Sequence, residues 1–249
     1  MKTRRLYTDQ PLSSDSSVVL DAAAAHYLGR VLRARPGQRI WLFNGDGREY
    51  HAEVVDISRR DVSVQIDQAT EGMAEPARPV VLAQAMSRNE KMDLVIQKAC
   101  ELGVSQLWPI DTQRSVSRLE DRRATKRLVH WRSVVIAASQ QCGRNTLMGV
   151  AEPRTLSDIL AAAETDQYAL LLAQPDAQNT LTEAVAQTRN GAPIVLLIGA
   201  EGGFDVDETA LVRAAGGHAF RAGPRTLRTE TAAIALSAAL QLLIGDWRY

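Results

Sequence analysis

Beyond Pro79 the chain alternates short, almost wholly apolar runs with stretches of helical periodicity, and this alternation narrows the choice of fold more than any other feature. "VVLAQAM", "VSQLWPI", "YALLLAQP" and "PIVLLIGAE" are each the length of one strand and apolar enough to be buried on both faces. Between them, "EKMDLVIQKACELGV" places Met92, Val95, Ile96, Ala99 and Leu102 on one helical face, with Gly103 as its stop. "TETAAIALSAALQLLIGDW" reads as a closing helix, and a long basic helix is expected over residues 119–141. Strands that alternate with helices give a mostly parallel α/β sheet.

The first 70 residues follow a different pattern. "QRIWLFNGDGREYHAEVVDISRRDVSVQI" alternates with a period of two, and Asn44–Gly47 sits between two such runs as a hairpin turn. "SRRD" is a second turn, and strands this short and this closely spaced point to a small β-barrel. A helix, "DAAAAHYLGRVLRA", is expected before them with Asp21 as its cap. "TEGMAEPARP" is a linker by its proline, glycine and small residues. The expected division is therefore a barrel over 1–70, a linker over 71–78 and an α/β domain over 79–249.

The chain has 29 basic and 29 acidic residues, so its net charge excludes nothing, but their distribution is uneven. Seven bases lie between Arg114 and Arg132 against Glu120 and Asp121, whereas residues 151–210 hold ten acids and only Arg154 and Arg189. Lys2, Arg4 and Arg5 form a second basic group, and Arg30, Arg33, Arg35 and Arg39 a third. Such asymmetry fits a polyanion-binding face, and equally a solvated helix face with scatter elsewhere. Cys100 and Cys142 make no CxxC, and His26, His51, His130 and His218 make no ligand pattern, so no metal is expected. No apolar run approaches the ~20 residues of a membrane span. The opening "MKTRRLYTDQ" lacks the apolar segment of a signal peptide, and a cytoplasmic protein is expected.

Ligands of parallel sheets bind where strands end. Three strand ends share one look: "LLLAQPD", "LLIGAEGGF" and "AFRAGPRTLRTETA". Glycine-rich loops of this kind can present backbone groups to a ligand, although a single one fits a tight turn equally well. "GAEGGF" is neither GxxxxGK[ST] nor GxGxxG, so a ligand without phosphates suits it better.

Taken in order, "MSRNEKMDLVIQKACELGV", "QQCGRN", "LLIGAEGGF" and "GPRTLRTETAA" resemble the RsmE-type 16S ribosomal RNA uridine-N3 methyltransferases of the SPOUT superfamily. "HYLGRVLRARPGQRIWLFNGDGREYHAEV" resembles that family's PUA-like RNA-binding barrel. The resemblance implies a trefoil-knotted α/β methyltransferase domain behind a small PUA-like β-barrel. It implies a homodimer, S-adenosylmethionine as cofactor, and a uridine in the decoding region of 16S rRNA, within the assembled small ribosomal subunit, as target.

By position it carries cofactor binding to Leu172 and Ala173, to Ile198, Gly199, Ala200, Glu201, Gly202 and Gly203, and to Gly223, Thr226, Leu227 and Arg228. Catalytic candidates are the carboxylates Glu201 and Glu230 and the cations Arg144, Arg225 and Arg228, with Arg228 beside the expected methyl site. RNA is expected on Arg4, Arg5, Arg30, Arg33, Arg88, Arg122, Arg123 and Arg127. Two departures from the family pattern stand out: Ala200 where proline is usual, and Gln140 where glutamate is usual, a position expected to orient Arg144 or RNA. They keep open a non-catalytic RNA-binding assembly factor, beside a methyltransferase acting on another rRNA or tRNA nucleotide.

Overall fold

The computed structural model describes residues 4–115 and 121–247, without the side chains of Val31, Asn89 and residues 121–124. It divides into two compact units, one of residues 1–74 with 136–147 and one of residues 75–135 with 148–249.

The first unit is a five-stranded sheet in the order β1-β3-β4-β5-β2. Its strands are β1 (Arg5–Tyr7), β2 (Ser16–Leu20), β3 (Arg39–Phe43), β4 (Arg48–Ile57) and β5 (Val62–Glu71). All neighbours are antiparallel except β1 on β3, where Arg5 pairs Trp41. The expected short helix is α1 (Ala22–His26), continued by a π turn over Tyr27–Val31. Asp21 caps it by accepting from the Ala24 N–H at 2.9 Å. The alternation read in the sequence sends Ile40, Leu42, Tyr50, Ala52, Val54, Val62, Val64 and Ile66 into one core with Leu20 and Leu28. The hairpin turn is closed by Gly45 and Gly47, both at positive φ, 95° and 89°.

The 136–147 segment returns to this unit, beyond the 1–70 division expected for it. Gln140 Oε1 accepts from the Tyr7 N–H at 3.0 Å, and the Arg144 carbonyl accepts from Arg5 Nη2 at 3.2 Å. Asn145 donates to the Arg48 carbonyl at 3.0 Å and accepts from the Met73 N–H at 3.3 Å. A Cβ at Gly72 would stand 2.5 Å from both Asn145 Cγ and the Gly47 carbonyl oxygen, so only glycine fits there.

The second unit carries the remaining strands, β6 (Val80–Ala85), β7 (Gln106–Asp111), β8 (Gly149–Val150), β9 (Arg154–Thr155), β10 (Ala169–Ala173), β11 (Ile194–Ile198) and β12 (His218–Phe220). They form one sheet in the order β12-β10-β11-β6-β7-β8, with β9 also on β7, and every pairing is parallel. Helices α2 (Asn89–Glu101), α3 (Asp121–Cys142), α4 (Leu156–Thr165), α5 (Leu181–Ala186), α6 (Val206–Ala214) and α7 (Thr229–Ile244) connect them. The last residues of α3, from Ile136, belong to the first unit.

Strands β6 and β11 are buried at every position, which is why the sequence shows unbroken apolar runs there. The exception is Gln84, polar and fully buried in mid-strand. Helix α7 packs on α2, β6 and β11. The order β12-β10-β11 matters most for the site. It sets three strands side by side whose carboxyl ends are the three loops singled out above.

Candidate cofactor and RNA site

A cavity of about 840 Å³ opens at those three strand ends. It is lined by Leu172 and Ala173 after β10, by Ile198, Gly199, Ala200, Glu201, Gly202 and Gly203 after β11, and by Gly223, Thr226 and Leu227 after β12. Every residue assigned to cofactor binding from the sequence lines it except Arg228, which is exposed and forms the residue before α7. Phe204, Thr229, Ala232 and Leu236 complete the apolar and hydroxyl-bearing wall, and Arg114 and Asp176 reach its rim.

The loop after β11 is held at almost every residue. The Gly203 N–H donates to the Ala200 carbonyl at 2.9 Å, closing a tight turn, and Gly203 sits at φ 69°. A Cβ on Gly199 would lie 2.9 Å from Gly203 Cα, so the turn folds back directly onto Gly199. The Gly199 carbonyl accepts from Thr229 Oγ1 at 2.7 Å, and Gln84 Nε2 donates to that same hydroxyl at 2.8 Å. Arg114 donates to the Gly202 carbonyl. Asp205 and Glu208 then form a reciprocal capping box that starts α6.

Electrostatically the loop is tied to α2. Lys91 Nζ donates to Glu201 Oε1 at 2.7 Å and lies 3.5 Å from Glu230 Oε2. That hydrogen bond, helped by the charges of Lys91 and Arg88, holds the Glu201 carboxyl below the ordinary carboxylate range. The same contact, with Glu230 adding its charge, raises Lys91. Glu230 Oε2 is buried and makes no hydrogen bond among the described residues, so its only close partner there is the lysine charge.

The catalytic candidates thus separate. Glu201 and Glu230 meet around Lys91, with Arg228 next in sequence to the start of α7. Arg144 lies in the first unit, where it is 4% exposed. Gln140 there accepts from the Tyr7 N–H, a bond that glutamate would also accept, so the substitution keeps the anchor of β1. Of the expected RNA contacts, Arg30, Arg33 and Arg88 are exposed, and Arg4 and Arg127 are half-buried. Arg5 is engaged internally: it pairs with Glu49 and lies over the Phe43 ring, 5.1 Å from its centroid. Arg122 and Arg123 lie in the first turn of α3, and their side chains fall outside the described residues.

Sequence reasoning missed Gln84, Lys91 and Thr229 and counted Arg114 only as a surface base. Gln84 had a readable signal, a lone amide inside the run "VVLAQAM". The others are ordinary helix-end or loop residues whose role exists only once the chain is folded.

Residues 74–241 match the RNA methyltransferase domain family, and residues 20–67 match the RNA methyltransferase PUA domain. A crystal structure of a ribosomal RNA small subunit methyltransferase E from Neisseria gonorrhoeae, bound to S-adenosyl methionine, is 31% identical. It aligns with a TM-score of 0.90 over 99% of this chain and 100% of its own. The chain belongs to the ribosomal RNA small subunit methyltransferase E family. A structure from Legionella pneumophila with the cofactor SAM bound is 33% identical, with a TM-score of 0.91 over 99% of this chain and 100% of its own. The methyltransferase E of Buchnera aphidicola from Schizaphis graminum is 29% identical over 248 residues, 99% of both chains.

Membership of the methyltransferase E family bears out the resemblance read from the motifs. It also bears out the PUA-like and SPOUT-type fold, and the class of S-adenosylmethionine-dependent rRNA methyltransferase. The cavity fits such a cofactor on its own chemistry. Gly203 and Gly223, both at positive φ, leave open space where a Cβ would stand. Leu172, Ile198, Leu227 and Leu236 offer apolar surface for a flat base. The glycine loop that closes the cavity matches no phosphate-binding pattern. Among the described residues no helix is long and apolar enough to cross a membrane, and no cluster of His, Cys, Asp and Glu could hold a metal.

Proposed function

We propose that this chain methylates N3 of a single uridine in the decoding region of 16S rRNA, acting in the cytoplasm as a knotted homodimer on the assembled small subunit. The observation that carries the reading is the tied loop Gly199–Gly203 at the mouth of a cavity suited to an adenosyl group, together with the family to which the chain belongs. Leu172, Ala173, Ile198, Ala200, Gly223, Thr226 and Leu227 hold the cofactor, largely through backbone and apolar contact. Bound S-adenosylmethionine supplies an electrophilic methyl group on a sulfonium.

The chain's own residues have three tasks. The first is to turn the uridine base out of its RNA stack and orient N3 toward the methyl group. The second is to ease loss of the N3 proton. The side chains of Arg225 and Arg228 make no hydrogen bond or ion pair among the described residues, so both guanidinia remain available to the uracil carbonyl oxygens on which negative charge develops. The third is to receive the proton. Glu201 is a poor acceptor, because Lys91 occupies it and lowers its basicity. Glu230, whose Oε2 is buried and lacks a hydrogen bond among the described residues, is the other carboxylate at hand, and it too faces Lys91. RNA phosphates are held by Arg30, Arg33, Arg88 and Arg127, and by Arg122 and Arg123 on α3.

The test is methyl transfer from labelled S-adenosylmethionine to small subunits lacking the modification, with the product mapped by mass spectrometry and reverse-transcriptase stops. One labelled uridine near the 3′ end of 16S rRNA is expected. Label on another nucleotide, or cofactor binding with no transfer, rejects the reading.

A further inference from the structure

A second cavity, of about 530 Å³, shares Pro175, Gly223, Arg225 and Thr226 with the cofactor cavity. Its remaining lining is Thr180, Arg221 and Pro224, so it presents two guanidinia and no carboxylate. Arg221 follows β12 directly and its backbone is fixed: its N–H donates to the Asn179 carbonyl at 2.9 Å, and it bridges to Thr180. Its side chain is exposed and makes no hydrogen bond or ion pair among the described residues.

Glu183 feels the charge of Arg221 without forming a hydrogen bond to it. Glu183 is turned back into its helix cap, where its Oε2 accepts from the Thr180 N–H at 2.7 Å and from the Thr180 hydroxyl at 2.9 Å. Two guanidinia around one concavity repel each other, Glu183 offsets only part of the Arg221 charge from outside the cavity, and an anion relieves the repulsion.

We propose that this cavity receives a backbone phosphate of the RNA substrate, the phosphodiester flanking the nucleotide whose base enters the cofactor cavity, with Arg221 as its principal ligand. The proposal rests on the reading of the chain as an RNA methyltransferase. A base turned out of its stack carries its own phosphates to the mouth of the pocket that takes it. The shared wall puts a cationic cavity at that mouth. Arg221 is absent from the cofactor cavity, which separates the two functions.

The test compares the full-length protein with R221A and R221K. The readouts are anisotropy of the fluorescently labelled protein on binding small subunits that lack the modification, cofactor calorimetry and methyl transfer. In R221A, RNA affinity is expected to fall about tenfold at 0.1 M salt and the salt slope to drop by about one. Cofactor affinity is expected to stay unchanged, and R221K to recover most of the loss. Unchanged RNA affinity and slope in R221A overturn the proposal, as does a loss confined to cofactor binding. Displacement of the RNA by millimolar inorganic phosphate makes the cavity a free-phosphate site and overturns it too. Arg221-dependent RNA binding without methyl transfer by the unmodified protein would leave this site standing and reject the proposed activity instead.

Discussion

The hydroxyl of Thr229, at the first residue of α7, donates to the carbonyl of Gly199, directly after β11, across 2.7 Å. Gln84 supplies the second half of the relay by donating to that hydroxyl from β6. Three elements distant in sequence therefore set the direction of one peptide group at the head of the cofactor loop.

Replacing Thr229 by valine keeps the shape and removes the hydroxyl. It leaves the buried Gln84 amide without that acceptor and frees the Gly199 carbonyl. The expected cost is about 1–3 kcal/mol. It should appear as a roughly 5- to 150-fold weaker cofactor dissociation constant by calorimetry. T229S should recover most of the affinity; if it does not, the hydroxyl is not the cause.

Lys91 gives a prediction in pH. Glu201 has a depressed pKa in the folded protein, so the loop contact it makes is present above the unfolded carboxylate pKa and is lost only as pH falls through the lower folded value. Replacing Lys91 by methionine removes the first cause of that depression. The acid limb of cofactor affinity should then move to higher pH, while K91R should leave it nearly in place. A titration of cofactor binding between pH 3 and 7, on the order of the range that carboxylates span, measures the shift.

Ala200 offers a gain. Only its carbonyl enters the turn to Gly203, and it is not among the residues at positive φ. A200P should therefore keep the turn and restrict the unliganded loop. Its effect should be about 0.4–1 kcal/mol in favour of the ordered state, a two- to fivefold tighter cofactor. Weaker binding would mean that proline distorts this loop.

In the first unit, G72A forces a methyl group against Asn145 and the Gly47 carbonyl. The expected destabilisation is about 1–3 kcal/mol. Thermal unfolding measures it, and N145A should reduce the penalty by removing one of the two clashing partners. Gln140→Glu should leave the melting temperature within a degree or so, on the order of the neutral surface range, because either side chain accepts from Tyr7.

Much of this architecture was legible before folding. Apolar runs mark β6, β10 and β11, interrupted only by Gln84, because parallel strands are covered on both faces. Period-two alternation marks β4 and β5 because only one face meets the core. The three loops could be named from their glycines. Their convergence could not, because it depends on the order β12-β10-β11, which no local pattern encodes. The same holds for Arg144. Its motif was readable, but nothing local says that Asn145 and Gln140 would turn back to Arg48 and Tyr7. Lys91 and Thr229 escaped notice because an ion pair across 110 residues and a hydroxyl across 30 leave no periodicity behind.

The first unit is discontinuous in the chain, and this has a consequence for biosynthesis. Its strands β1 to β5 leave the translating ribosome ahead of the second unit, yet Tyr7, Arg48 and Met73 meet their partners only when Gln140 and Asn145 have been made. Nascent chains ending near residue 74 should therefore hold a strand set that forms late and stays open to proteases. Protection should rise in one step once residue 147 clears the exit tunnel, instead of domain by domain in the order of synthesis.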